Sequence, residues 1–161
     1  MWIIDCDPSA PDYWNKVRAL AKSLITGEKN LIANLANLSS LFFHTMPNLN
    51  WSGFYLWDEQ DGELVLGPFQ GKPACIRIRP ERGICGTAYR TQQVQRVADV
   101  LLVPGHIACD SESRSELVIP IMKESKCVGV LDLDSPTESR FSETDEKELT
   151  KIMHEISLEI F

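Results

Sequence analysis

The 161-residue sequence has no run of the roughly 20 apolar residues that a membrane helix needs; its longest apolar stretches break within a few positions. It begins Met-Trp-Ile-Ile-Asp-Cys-Asp-Pro, without the basic segment and small-residue cleavage site of a secretory leader, so a cytoplasmic location is expected. A basic excess is missing too. With 16 Lys and Arg against 23 Asp and Glu, the net charge of -7 repels phosphate backbones and anionic bilayers, which argues against nucleic acid and membrane as partners. The five cysteines, at 6, 75, 85, 109 and 127, are odd in number and show no close pairs, unlike the disulfide framework of a small secreted protein. No internal repeat, low-complexity tract or long linker divides the chain, and 1–161 reads as one domain.

What is present is an ordinary globular mixture, 43% hydrophobic and 24% charged, patterned into alternating elements. Trp14, Val17, Ala21 and Leu24 recur at helical steps between Ser9 and about Glu28; Leu31, Leu35, Leu38 and Phe42 do so between Asn30 and Thr45, where Pro47 bars continuation. Trp51–Trp57, Glu63–Phe69, Cys75–Arg79 and Val94–Val97 read as short strands, with a short helix opening at Gly83 before the last of them. A loop from Asp99 to Arg114 precedes two apolar runs, Glu116–Met122 and Cys127–Asp134, that form a hairpin around Lys123–Lys126. Ser142–Phe161 closes the chain as an amphipathic helix, with Ser142 and Asp145 spaced as a capping box. Strands in the middle and helices at both ends predict an α+β domain, a mixed sheet with helices mainly on one face and a pocket on the other.

Alternation sorts the strand side chains. Trp51, Gly53, Tyr55 and Trp57 share a face, aromatic with a gap, which suits either a ligand wall or core beneath a helix. Asp132 and Asp134 share a face opposite Leu131 and Leu133, as a solvated strand end or a binding site. The hairpin loop bears on the choice. An odd loop such as Glu124–Lys126 sets Glu116 opposite Asp134 and converges three carboxylates; a two-residue loop sets Glu116 opposite Leu133 and dissolves the cluster. Pro120 is a candidate for a bulge, which leaves the register open. Three converging acids repel one another and call for a cation, an ammonium or a metal, with a raised pKa on at least one of them.

Cys109, in the aperiodic segment Pro104–Asp110, has His106 three residues upstream, which would lower its thiol pKa if the fold brings them together. Cys85 stands at a helix start, where the helix dipole favours thiolate, and Cys75 opens a strand on the face of Arg77 and Arg79. Cys6 and Cys127 read as core filler. Cys75, Cys85, His106 and Cys109 are zinc-ligand types, but only the His-x-x-Cys step has the tight spacing of a structural site, so neither metal nor cofactor is expected.

Asn50-Trp-Ser-Gly-Phe-Tyr-Leu56, Leu66-Gly-Pro-Phe-Gln-Gly71 with Ala74-Cys75, Arg82-Gly-Ile-Cys-Gly-Thr87, Gly105-His-Ile-Ala-Cys-Asp110, Ser115-Glu116 and Gly129-Val-Leu-Asp-Leu-Asp-Ser135 resemble, in order, the free methionine-(R)-sulfoxide reductases, small single GAF domains. The resemblance runs from about Leu24 to the last helix, with residues 1–23 poorly matched. It implies a largely antiparallel sheet, reduction of free methionine-(R)-sulfoxide by Cys109 as nucleophile, Cys75 as resolving thiol and Cys85 as an auxiliary thiol. It further implies thioredoxin or a similar dithiol as reductant, and it allows a homodimer. Trp51 and Tyr55 resemble the aromatic walls of the substrate pocket, and Glu116, Asp132 and Asp134 its acids. These features match the substrate chemically: the acids suit an ammonium, a protonated acid suits the sulfoxide oxygen, and the aromatic face suits the methyl group and electron-poor sulfur. The alternative is a GAF sensor of a small ligand or of redox state, acting in trans because 161 residues leave no room for an output domain.

Overall fold

Alternation along the strands divides the hydrophobic residues between the two faces of one sheet, and each face builds a separate core. The computed structural model describes residues 6–105 and 110–161. Its elements run α1 (Tyr13–Ile25), α2 (Leu31–Thr45), β1 (Trp51–Asp58), β2 (Glu63–Gly71), β3 (Arg77–Ile78), α3 (Gly83–Thr91), β4 (Gln95–Val97), a single 3-10 turn (Val100–Leu102), β5 (Ser115–Lys123), β6 (Lys126–Ser135) and α4 (Glu143–Ile160). The six strands lie in the order β3-β2-β1-β6-β5-β4. Every pairing is antiparallel, so the sheet is not mixed as the strand pattern suggested.

On one face Phe54, Leu117, Ile119, Ile121, Leu131 and Leu133 meet α1, α2 and α4. The buried side of α1 is Tyr13, Val17, Ala21 and Ile25, one position off the stripe expected through Trp14 and Leu24. Tyr13 locks α1 to α2 by donating its hydroxyl to the Thr45 carbonyl at 3.1 Å. Asn30 caps α2 by accepting from the Ala33 N–H, and Ser142 with Asp145 forms the expected capping box of α4. On the other face Trp51, Tyr55, Val118 and Val130 meet Ile84, Cys85 and Ala88 of α3. The helices therefore divide three to one, and α3 stands over only part of its face.

Two irregularities set the registers. Between Gly53 and Tyr55 of β1 the β2 partner shifts by one, with Gly67 and Pro68 opposite the single residue Phe54. Here the Pro68 carbonyl leaves the ladder and accepts from Ser39 Oγ of α2 at 2.9 Å. In the β5–β6 hairpin Lys123 pairs with Lys126 and Met122 with Cys127, but Ile121 pairs with Gly129, leaving Val128 as the extra residue. The turn is thus the two-residue Glu124-Ser125, and the bulge restores Glu116 opposite Asp134. Each of the alternative hairpin readings held one half of this arrangement. Pro120 pairs with Val130 of β6 and lies beyond the residues of β5 that β4 pairs, 116–118.

Leu131, fully buried between Phe54 and Ile119 on the helix-covered face, is a direct probe of that core. Leu131→Ala is expected to cost about 2–5 kcal/mol in urea unfolding, the usual loss for a large-to-small change at a closed site.

Candidate active site

β1, β6 and β5 lie side by side, and their registers assemble the site. Trp51 pairs with Asp134 and Gly53 with Asp132, while Asp134 pairs with Glu116. The side chains of Trp51, Glu116, Asp132 and Asp134 point to the α3 face, where with Tyr55, Cys85, Lys72 and Asp110 they line one pocket. Glu116 and Asp132 are buried, at 5% and 7% exposure, and Asp134 is half-buried toward the mouth. The three carboxylates therefore converge, and the solvated strand end is not what forms.

Burial dominates the electrostatics. It drives the Glu116 carboxyl well above the usual carboxylate range, with the charges of Asp132 and Asp134 adding to the rise. It lifts Asp134 in the same direction, again reinforced by Asp132. Asp132 is pushed up to about 7 by burial, against the opposing pull of hydrogen bonds from Cys85 and Glu116. Such groups share protons near neutral pH and titrate as a set. Cys85 lies at the floor with Sγ 4.0 Å from Glu116 Oε1. Its place in the first turn of α3 favours thiolate, but burial and then the charges of Asp132 and Glu116 drive its pKa well above the ordinary value. Cys85 is held as a thiol, contrary to the expectation from the helix dipole.

The gap in the aromatic face is filled by its own neighbour. Trp51 folds over Gly53, stacked between Phe69 at 5.3 Å and Tyr55 at 5.9 Å between ring centroids. A Cβ on Gly53 would stand 2.4 Å from Phe69 Cβ and 2.5 Å from the Trp51 ring. Both aromatic walls also carry polar tips that hold the segment between β2 and β3. Trp51 Nε1 donates to the Lys72 carbonyl at 3.1 Å and the Tyr55 hydroxyl to the Cys75 carbonyl at 3.0 Å. Cys75 itself precedes β3 in irregular chain and does not open a strand with Arg77 and Arg79.

Sequence reasoning missed the polar frame of the mouth. Asp110, its side chain 7% exposed, accepts from Asn50 Nδ2 at 3.2 Å, from Lys72 Nζ at 3.3 Å and from the Glu112 N–H at 3.0 Å. The Glu112 N–H, and then Lys72, hold its carboxyl below the usual range. Asn50 Nδ2 also donates to Ser113 Oγ at 3.0 Å. Asn50 and Asp110 stood inside the motifs already read, but nothing in their 60-residue separation announces that they pair. His106 and Cys109 lie outside the described residues.

The GAF domain family model matches residues 37–160. Protein YtsP of Bacillus subtilis is 55% identical over 130 residues, 81% of this chain and 80% of that protein. The free methionine-R-sulfoxide reductase of Escherichia coli is 47% identical over 134 residues, 83% of this chain and 80% of that protein. The chain belongs to the free methionine-R-sulfoxide reductase family. The solved free methionine-R-sulfoxide reductase of Neisseria meningitidis, in complex with its substrate, superposes with a TM-score of 0.89 at 39% identity, covering 96% of this chain and 95% of that one. The GAF-type α+β fold expected from the motifs is the one found.

Within this family fold two consequences of the geometry are measurable. Gly53→Ala is expected to cost about 1–3 kcal/mol through overpacking and to shift Trp51 fluorescence as the indole leaves its stack. For Asp132, a native pKa of about 7 against an ordinary 3.8 means that the folded state binds its proton more tightly. Its stabilising effect is complete below about pH 4 and is lost as pH rises through about 7. Thermal unfolding should accordingly show stability falling across that window, and Asp132→Asn should flatten the fall.

Proposed function

We propose that this chain reduces the free R epimer of methionine sulfoxide to methionine. The observation that carries the proposal is the joining, in one pocket, of three converging carboxylates and a Trp51–Tyr55 wall within a chain of this family. Glu116, Asp132 and Asp134 receive the substrate ammonium, and the proton that burial keeps on the cluster serves the sulfoxide oxygen as the S–O bond breaks. Trp51 and Tyr55 receive the methyl group and the sulfur.

The Cys109 thiolate attacks at the sulfoxide group, the oxygen passes from the substrate sulfur to the Cys109 sulfur as the old S–O bond breaks and the cluster's proton completes the hydroxyl, and methionine leaves, so that Cys109 is oxidised to a sulfenic acid as the sulfoxide is reduced. The Cys75 thiol then displaces that oxygen as water, forming a disulfide, so that two thiols are oxidised for one sulfoxide reduced. Thioredoxin or a similar dithiol returns both thiols. The support for Cys75 is structural. Its segment is held by Trp51 and Tyr55, and the Lys72–Asp110 ion pair ties that segment to the residue that follows Cys109 in the chain. Cys85 acts as an auxiliary thiol that accepts the disulfide by exchange, a role suited to a thiol that burial keeps from reacting first.

Among the described residues no helix is long and apolar enough to cross a membrane. Together with the acidic charge and the reliance on reduced thiols, this supports a cytoplasmic enzyme. The chain functions as one domain over 1–161, and a homodimer is compatible with it.

Turnover assays on separated epimers with a dithiol reductant test the proposal. The R epimer of the free amino acid is expected to be consumed and the S epimer spared, with Cys109→Ser inactive. Full activity in Cys109→Ser overturns the mechanism, and binding of the sulfoxide without turnover by the wild-type chain makes it a sensor. Mass spectrometry after one equivalent of substrate without reductant should find Cys75 joined to Cys109; a dominant Cys85–Cys109 bond reassigns the resolving thiol.

A further inference from the structure

The acid cluster includes a thiol, and that combination has a chemistry that sulfoxide binding does not use. Cys85 Sγ and one carboxylate oxygen each from Glu116 and Asp132 lie within 4.8 Å of one another. All three residues are buried. They come from the first turn of α3, from β5 and from β6, so packing of the helix on the sheet fixes their spacing, not a flexible loop. A second observation points to a ligand. Asp132 Oδ1 is closed off from solvent and accepts no hydrogen bond, although its residue is 93% buried and lines the pocket. An unmatched buried acceptor of this kind is unfavourable until something occupies it. Lys72, the cation at the pocket, is engaged at the mouth by Asp110 and Glu112.

Two carboxylate oxygens and one sulfur are a mixed donor set. Magnesium and calcium take oxygen ligands throughout, whereas zinc accepts sulfur at about 2.3 Å and carboxylate oxygen at about 2.0–2.2 Å in a tetrahedron. Ligand atoms around such an ion stand roughly 3–4 Å apart, which side-chain rotation reaches from the observed spacing. Three protein ligands also leave the fourth position open toward the pocket.

We propose that Cys85, Glu116 and Asp132 bind a borderline-soft divalent cation of the zinc type, and that the bound ion excludes a substrate ammonium from the same acids. The ion enters as a dication, the thiol and carboxyl protons leave to solvent, and no group changes oxidation state. Cation binding stands on the geometry alone; the exclusion rests on the function proposed above. The enzyme would then be inhibited by zinc in competition with its substrate and restored by a chelator.

Cobalt(II) is the probe, because its coordination by thiolate gives a charge-transfer absorption that oxygen ligands do not. In the full-length Cys75→Ser/Cys109→Ser variant, whose proposed redox thiols are gone, one equivalent of cobalt should give this band, and zinc should displace it. The band should be lost in Cys85→Ser, and Glu116→Gln, nearly isosteric and expected to fold, should weaken cobalt binding roughly tenfold or more. Free methionine-(R)-sulfoxide should raise the apparent Kd for cobalt. A band that survives Cys85→Ser, or that vanishes with Cys75 and Cys109, overturns the site. Cobalt binding indifferent to the sulfoxide overturns the exclusion and moves the ammonium away from these acids, while failed turnover with intact cobalt binding overturns the function and not the cation site.

Discussion

The register that runs from β5 through β6 to β1 is the constraint on which the pocket depends. Glu116, Asp134 and Trp51 lie in one line across three strands, with Asp132 beside Gly53 two positions away. Strand side chains alternate, so a slip of one residue between β5 and β6 would set Glu116 opposite Leu133, on the face away from Asp132 and Asp134, and would leave either Glu116 or the two aspartates in the core beneath α1, α2 and α4. Burying ionised carboxylates among leucines is prohibitive, and that penalty selects the observed pairing. The two-residue turn alone would produce the slipped arrangement. The extra residue at Val128 reverses it, which makes the bulge a structural requirement of the acid cluster and not an irregularity of the hairpin.

The sheet separates stability from chemistry. On the helix-covered face, large aliphatic side chains pack without polar atoms of their own. On the other face the same strands present groups that oppose burial: three acids, a thiol and the polar tips of Trp51 and Tyr55. The polar tips are matched to carbonyls of the segment carrying Cys75, so the aromatic walls also position backbone. The acids are matched by retained protons, by one another and by the Cys85 thiol, with Asp132 Oδ1 left over. A folded chain tolerates that mismatch because the opposite face supplies a complete apolar core.

Most of the architecture was legible in the sequence because each element there is specified locally. The stripe Leu35, Leu38 and Phe42 and the Ser142–Asp145 box act within a few residues of themselves and were found where expected. Alternation likewise assigned Trp51 and Tyr55 to one face, and Asp132 and Asp134 to one face. The limits came where the deciding partner is distant. Whether Glu116 joins the acids depends on a bulge that has no sequence signature, and the dipole at the start of α3 was outweighed by burial and then by carboxylates 31 and more residues away. The frame at the mouth, Asn50 with Asp110 and Lys72, rests on pairings over 38 to 60 residues that no local pattern encodes.

Under the proposed function, a cluster of acids that retain protons near neutrality serves as an unusual receptor for the substrate cation, and its value lies in what it rejects. An entering ammonium stabilises the ionised forms and releases a proton, so the cluster exchanges one positive charge for another and never bears its full negative charge in the dark of the pocket. A neutral amide nitrogen, as in a peptide-bound residue, offers no charge for that exchange; it meets carboxyl groups that keep their protons and gains only a neutral hydrogen bond. Discrimination between the free amino acid and the same side chain in a protein then follows from raised carboxyl pKa values and not from steric exclusion alone. The retained protons have a second use under the proposed reaction, because the acid that stays neutral beside the bound ammonium is the one able to donate to the sulfoxide oxygen. In the proposed reaction burial thus couples recognition of the ammonium to supply of the proton. A more exposed cluster, with ordinary pKa values, would hold the ammonium at low selectivity and have no proton to give at neutral pH.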